Sequence, residues 1–259
     1  MRLPLSTFSA RRRPAWVVGF IIFGIGLNLL LLVAVLDPDR TWWNDFGAYY
    51  LAAERMIDGV SPYTQAQLEG PFEATDRTLY LYPPVLAQVL APVTGTPFWL
   101  VNLLWLVASF GAAYLATWIA AGIGGASGPD RHLWSLAAVL WFPPVLLAAW
   151  QGNVSNIISL TTIMVALGVT AAGVGAAIGM LIKVSPLGLV PAVLVHSRVS
   201  RLALIATLAV GILVSIVLAP ADWSDYPTVL LNMVDGGVGD VRNFAPEAVV
   251  ASLGLAGPT

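Results

Sequence analysis

The chain has no cysteine and only two histidines, His132 and His196, in 259 residues. Without thiols there is no disulfide framework, no thiolate nucleophile and no Cys-ligated zinc, and two imidazoles leave little material for a histidine-based metal site. Charge is the second scarcity. Asp, Glu, Lys and Arg make up 10% of the residues, against roughly 25% in soluble globular proteins. A surface this poor in charge cannot be covered in water, which rules out a cytosolic enzyme. Neither sign dominates: 12 basic against 14 acidic residues give a net charge of -2, so there is no basic face for nucleic acid and no DNA or RNA partner is implied. Any chemistry must run on carboxylates, hydroxyls, amides and a few cations, and no metal or other cofactor is called for.

Apolar residues are abundant. They form 58% of the chain, and the mean hydropathy is +0.82. A hydrocarbon core of roughly 30 Å takes about 20 apolar residues to cross as a helix, which predicts crossings at 15–36, 97–121, 133–150, 154–172 and 201–219. The stretch 174–196 carries Lys183, Ser185 and Pro186 near its middle. Because proline removes a helical hydrogen bond, this stretch is predicted as two half-spans, 174–184 and 187–196. The first apolar run follows Arg11, Arg12 and Arg13, but it is longer than a signal-peptide core. Val35-Leu36-Asp37-Pro38 also lacks a small-residue cleavage pattern, so an uncleaved anchor is expected.

Arginine and lysine collect on the cytoplasmic side of short loops. This places the N terminus inside and the 37–96 loop outside. With the broken pair returning at Pro186, Arg2, Arg11, Arg12, Arg13, Arg131, Arg198 and Arg201 all fall inside with Asp130, and the other acids fall outside. The expected fold is therefore all-α and polytopic: a seven-span module over 1–219, then an outer-face segment over 220–259.

The outer loops hold the residues suited to chemistry. Phe46, Tyr49, Tyr50, Ala53 and Ile57 recur at helical spacing, which predicts an amphipathic helix lying on the outer membrane face and stopped by Asp58-Gly59. Tyr82-Pro83-Pro84-Val85 opens a second segment, to about residue 93, that is too short to span. Within Trp42-Trp43-Asn44-Asp45-Phe46-Gly47-Ala48-Tyr49-Tyr50, a carboxylate at a helix start sits where the dipole favours its ionised form. Its aromatic neighbours could stack on sugar faces or line an acyl groove. The same residues also read as an N-cap aspartate in an aromatic belt. Lys183 inside a span is a functional candidate by cost, or a side chain snorkelling from a broken helix to the interface. Gln151 and Asn153 offer amides to sugar hydroxyls, or caps to helix ends. Glu54 and Asp58 read as solvated faces of the Asp45 helix, and His196 with Arg198 as an inner-face anchor.

The ordered set Asp45, Tyr49, Ala52, Gly59, Pro62, Tyr63, Tyr82-Pro83-Pro84, Gln151-Gly152-Asn153, Lys183 and Pro186 resembles the membrane-embedded GT-C glycosyltransferases. More narrowly it resembles glycosyltransferase family 87 (GT87), bacterial mannosyltransferases that take mannose from polyprenyl phosphate. The resemblance runs from about residue 40 to 200 and implies a seven-span module whose first outer loop bears the essential aspartate, here Asp45. Members usually continue through further spans, so 220–259 is expected to be a shortened C-terminal segment. The implied activity is inverting, metal-independent transfer of a mannosyl or related residue from a polyprenyl-phosphate donor to a glycolipid or glycan acceptor, on the outer face of the bacterial plasma membrane. Asp45 would be the base. Tyr49, Tyr50, Tyr63, Tyr82, Gln151, Asn153 and Lys183 would bind donor or acceptor, with Arg40, Arg55, Arg77 and Arg242 as alternative cations for the phosphate. Two other classes compete: a transporter or lipid flippase, and a non-catalytic assembly subunit. A transporter predicts polar groups spread through several spans, whereas Lys183 is the only charged residue in the interior of a predicted span, Arg201 standing at the first position of its own.

Overall fold

The computed structural model describes residues 15–36, 44–72 and 79–236. Among these the chain is all-helical, with twelve α-helices and no strand. They are α1 (Ala15–Leu36), α2 (Asn44–Ile57), α3 (Gln65–Glu69), α4 (Pro84–Leu90), α5 (Phe98–Ile123), α6 (Pro129–Trp141), α7 (Pro143–Gln151), α8 (Ser155–Leu167), α9 (Val169–Ile182), α10 (Val190–His196), α11 (Arg198–Leu218) and α12 (Pro220–Gly236). Single 3-10 turns, Ala91–Val93 and Ser185–Leu189, extend α4 and precede α10.

Among the described residues α5 and α11 are each long and apolar enough to cross a membrane, and α6 with α7 make a third span if that bent pair is taken as one. The predicted crossing 133–150 is in fact this pair, bent by 56°. Phe142 precedes Pro143, whose ring drives the residue before it out of the helical region. Phe142 accordingly sits at φ -77, ψ 111, and Pro143 opens α7. The predicted crossing 154–172 is likewise interrupted. Gly168 adopts φ +74, a left-handed conformation that costs glycine little, so α8 stops at Leu167 and α9 starts at Val169. Thirteen residues rise about 20 Å, so α8 is an apolar helix shorter than the full hydrocarbon thickness.

Gly173, which falls between the predicted crossings 154–172 and 174–184, instead lies inside α9. There a Cβ would come within 2.0 Å of the Ser200 carbonyl oxygen on α11. Gly175 meets α8 in the same way, 2.6 Å from the Thr161 carbonyl oxygen, and glycine thus lets α9 pack closely between two helices. The break comes at Lys183, inside the predicted half-span 174–184 and just before the return expected at Pro186: Lys183 is extended (φ -150, ψ 140) and the chain turns back through Ser185–Leu189 into α10.

These turns give the bundle two ends. At one, Arg131 of α6 donates to the Trp118 carbonyl of α5 at 2.9 and 3.1 Å, and Gly168 lies beside His196. At the other, α2, α3, α4, the α7–α8 turn, Lys183 and α12 come together. The stripe predicted for α2 is real, and protein covers it. Phe46, Tyr49, Tyr50, Ala52 and Ala53 are buried against α4, α5 and their neighbours, while Ile57 is exposed. A period of 3.6 marks an apolar face without saying what covers it.

Helix α12 folds back over this end. Asn232 Nδ2 donates to the Gln67 carbonyl at 2.9 Å, the Trp223 indole N–H donates to Ser215 Oγ at 2.7 Å, and Tyr226 stacks on Tyr63 with ring centroids 6.0 Å apart. Asp222, 6% exposed, has a buried Oδ2 without a hydrogen-bond partner. Burial, and then the neighbouring Asp225 carboxylate, push Asp222 up to about 6. The docked state therefore holds this proton more tightly than the undocked state. Docking of α12 strengthens as pH falls from about 6 toward 4, by at most about tenfold per pH unit, and the gain is lost as pH rises through 6. The thermal midpoint in detergent should rise between pH 7 and 5 in the wild type, with the Asp222 share of that rise missing in Asp222→Asn. Equal slopes for the two proteins would contradict this.

Candidate active site

Asp45 lies in the first turn of α2, where the helix dipole favours a negative charge. It faces the turn between α7 and α8. Gly152 there is left-handed (φ +67) and caps α7, and the Asn153 N–H returns to the Ala148 carbonyl at 2.8 Å. Of the two roles considered for it, the structure shows Asn153 in the one at a helix end. Its Oδ1 accepts from the Ser155 N–H at 2.8 Å and from the Ser155 hydroxyl, at the start of α8, while its Nδ2 donates to Asp45 Oδ2. An amide donor on a carboxylate favours the ionised form.

Tyr82 and Lys183 complete the cluster. The Lys183 ammonium stands 5.5 Å from the Tyr82 ring centroid and within the electrostatic reach of Asp45. It is delivered there because α9 ends one residue earlier, and it is the only lysine in the sequence. Tyr49 sets its ring edge-on to Tyr82 at 4.9 Å. The Tyr49 hydroxyl is buried close to that of Tyr82 but makes no hydrogen bond of normal geometry. Burial, ahead of the Asp45 charge, pushes Tyr82 up to about 12, and burial also raises Tyr49. Both phenols stay neutral near pH 7, so neither can take a proton there.

The model of glycosyltransferase family 87 matches residues 80–258, about two thirds of the chain. The chain belongs to glycosyltransferase family 87. Membership makes it a glycosyltransferase, and its apolar helices make it a membrane protein. The matched region takes in Tyr82, Gln151, Asn153 and Lys183 and begins after Asp45. No curated protein and no solved structure matches the chain.

In this family-87 glycosyltransferase the other candidate residues lie away from the cluster or behind it. The Tyr50 hydroxyl donates to the Thr94 carbonyl at 2.6 Å, and that of Tyr63 to the Tyr82 carbonyl at 2.9 Å; both rings are buried, so neither has a face free for a sugar. Tyr63 thus supports Tyr82 from below. Gln151 is exposed at the end of α7. Glu54 lies more than two turns along α2 from Asp45, and Asp58 just beyond its end. Arg55 is engaged with the Pro62 carbonyl, its Nε donating at 3.0 Å. Arg40, Arg77, Arg242, Trp42, Trp43 and the Asn44 side chain lie outside the described residues. His196 bonds the Ala192 carbonyl at the opposite end of the bundle. Among the described residues no three His, Asp or Glu side chains are grouped to hold a metal.

Trp105 of α5 belongs to the site and escaped the sequence reading. Its indole N–H donates to the Gly152 carbonyl at 2.8 Å. A tryptophan near the end of an apolar helix looks like any interfacial aromatic, and no sequence signal separates this one from the others.

Proposed function

We propose that this glycosyltransferase moves a mannosyl or related residue from a polyprenyl-phosphate donor to a hydroxyl of a glycolipid or glycan acceptor, by inverting displacement and without a metal. The observation that carries the reading is Asp45, held by Asn153, with the Lys183 ammonium within reach of its charge. The acceptor hydroxyl gives its proton to the Asp45 carboxylate as its oxygen attacks the anomeric carbon. The bond from that carbon to the phosphate oxygen breaks, and the departing polyprenyl phosphate keeps the electron pair beside Lys183. The other polar groups have supporting parts: Asn153 orients the base, and exposed Gln151 is placed to meet sugar hydroxyls.

The membrane placement belongs to the same proposal. The chain runs between the two ends of the bundle along α5, α6 with α7, α8, α9, the 185–196 return and α11, and α1 would make the seventh pass of a module over 1–219, with 220–259 as a segment on the side of the site. This route sets Arg131, Arg198 and Arg201 at the end opposite Asp45 and Lys183. Cytoplasmic arginines then put the N terminus inside and the site on the outer face of a bacterial plasma membrane. Purified protein in proteoliposomes, given labelled polyprenyl-phosphate mannose and a glycolipid acceptor, should form labelled glycolipid. Movement of the donor between leaflets with no new glycosidic bond would favour a flippase instead.

A further inference from the structure

Asp45 and Asn153 are 108 residues apart, on elements that each end in a turn, and their contact needs both turns held still. The Gly152–Asn153 turn has its N–H groups tied back to α7, through Gly152 to the Ala149 carbonyl at 3.1 Å and Asn153 to the Ala148 carbonyl at 2.8 Å. The Gly152 carbonyl points the other way, and Trp105 takes it. The same indole packs against Phe46, the residue next to Asp45, at 5.2 Å, and against Tyr49, one turn further along α2, at 5.8 Å. One side chain of α5 therefore touches chain neighbours of both Asp45 and Asn153.

We infer that Trp105 is a positioning residue: its N–H fixes the turn that aims Asn153 at Asp45, and its ring fixes the helix start that presents Asp45. The inference rests on the reading of Asp45 as the base. Removing the N–H frees the Gly152 carbonyl, lets the Asn153 amide drift, and weakens the hydrogen bond that favours the ionised carboxylate. Donor binding should be unchanged, because the indole N–H is taken up by the Gly152 carbonyl. The effect should therefore fall on kcat and on the acid side of the pH profile rather than on KM.

Trp105→Phe keeps an aromatic ring and loses the donor; Trp105→His is also smaller but keeps a ring N–H. The expected result for Trp105→Phe is a fall of about tenfold in kcat, a donor KM within about twofold of wild type, and an acid limb of kcat/KM moved upward by about half a pH unit or more. Trp105→His should keep its limb near the wild-type position. An unmoved limb in Trp105→Phe, or equal shifts in both variants, overturns the inference. Asn153→Ala removes the same contact directly, so its limb must shift at least as far, and adding a Trp105 substitution to it must shift the limb no further. Additive shifts overturn the inference, and Trp105→Leu, which also lacks the donor, takes the place of the Phe variant in this cycle if that one does not fold. Asp45→Asn is assayed beside them. Full transfer by that protein would sink the base reading itself, whereas an inactive Asp45→Asn with an unmoved Trp105→Phe limb would sink only the role given to Trp105.

Discussion

Asp45→Asn should lower the rate of glycosyl transfer by at least about a hundredfold, within the range of about 10² to 10⁴ that a general base contributes. Asparagine matches aspartate in shape but cannot accept a proton from the acceptor hydroxyl. The fold should not change, because the apolar face of α2 is built from Phe46, Tyr49, Tyr50, Ala52 and Ala53, all buried and all retained. Donor KM should also stay near wild type, since the carboxylate acts on the acceptor. Initial rates with labelled donor in proteoliposomes, together with the thermal midpoint, check this. A mutant with the wild-type rate would show that the proton leaves by another route.

Replacement of Lys183 has the second largest expected effect. Lys183→Met keeps the length and apolar stem of the side chain and removes the charge. If the ammonium meets the departing phosphate, kcat should fall by about 10² to 10³, the usual loss when one preorganised electrostatic partner of a transition state is removed. Lys183→Arg keeps the charge on a planar head with different reach and should recover part of the rate. A lysine that only snorkels to the interface would give full transfer in both variants. The structure makes the charge test clean: Lys183 lies at the end of α9 in extended backbone, so the side chain can be exchanged without breaking a helix interior.

The features that sequence could reveal are those written into single residues. Pro186 lacks an N–H and Lys183 carries a charge that lipid opposes, so the reversal after residue 182 is local information, and the structure has it there. The period of α2 is equally local. What covers its apolar face is not, because lipid and protein select the same side chains. The break between α8 and α9 shows the same limit. Gly168 and Gly173 are both candidates for a turn, and the choice is made by α11, whose Ser200 backbone occupies the space beside Gly173 and keeps that glycine in a helix. The predicted crossing 133–150 ran through the break at Phe142, although Pro143 marks it, and a proline does not give the size of the bend.

Within the site, Asp45 and Lys183 could be singled out because a carboxylate at a helix start and a cation in a span are unusual on their own. That Asn153 donates to Asp45 is a long-range contact between two ordinary residues, and nothing in either segment announces it. Tyr50 and Tyr63 show the converse. Their aromatic composition suggested sugar platforms, yet their hydroxyls are taken by backbone carbonyls and their rings are buried. Tyr63 holds the loop that carries Tyr82, and Tyr50 holds the turn between α4 and α5.

The anomeric configuration of the product tests the central claim most directly, because it separates a carboxylate that takes a proton from one that attacks carbon. With Asp45 as base there is one displacement at the anomeric centre, and the sugar in the product should be inverted relative to the polyprenyl-phosphate donor, as read by NMR of the purified product. Retained configuration would mean two displacements and a covalent intermediate, and it would contradict the role assigned to Asp45.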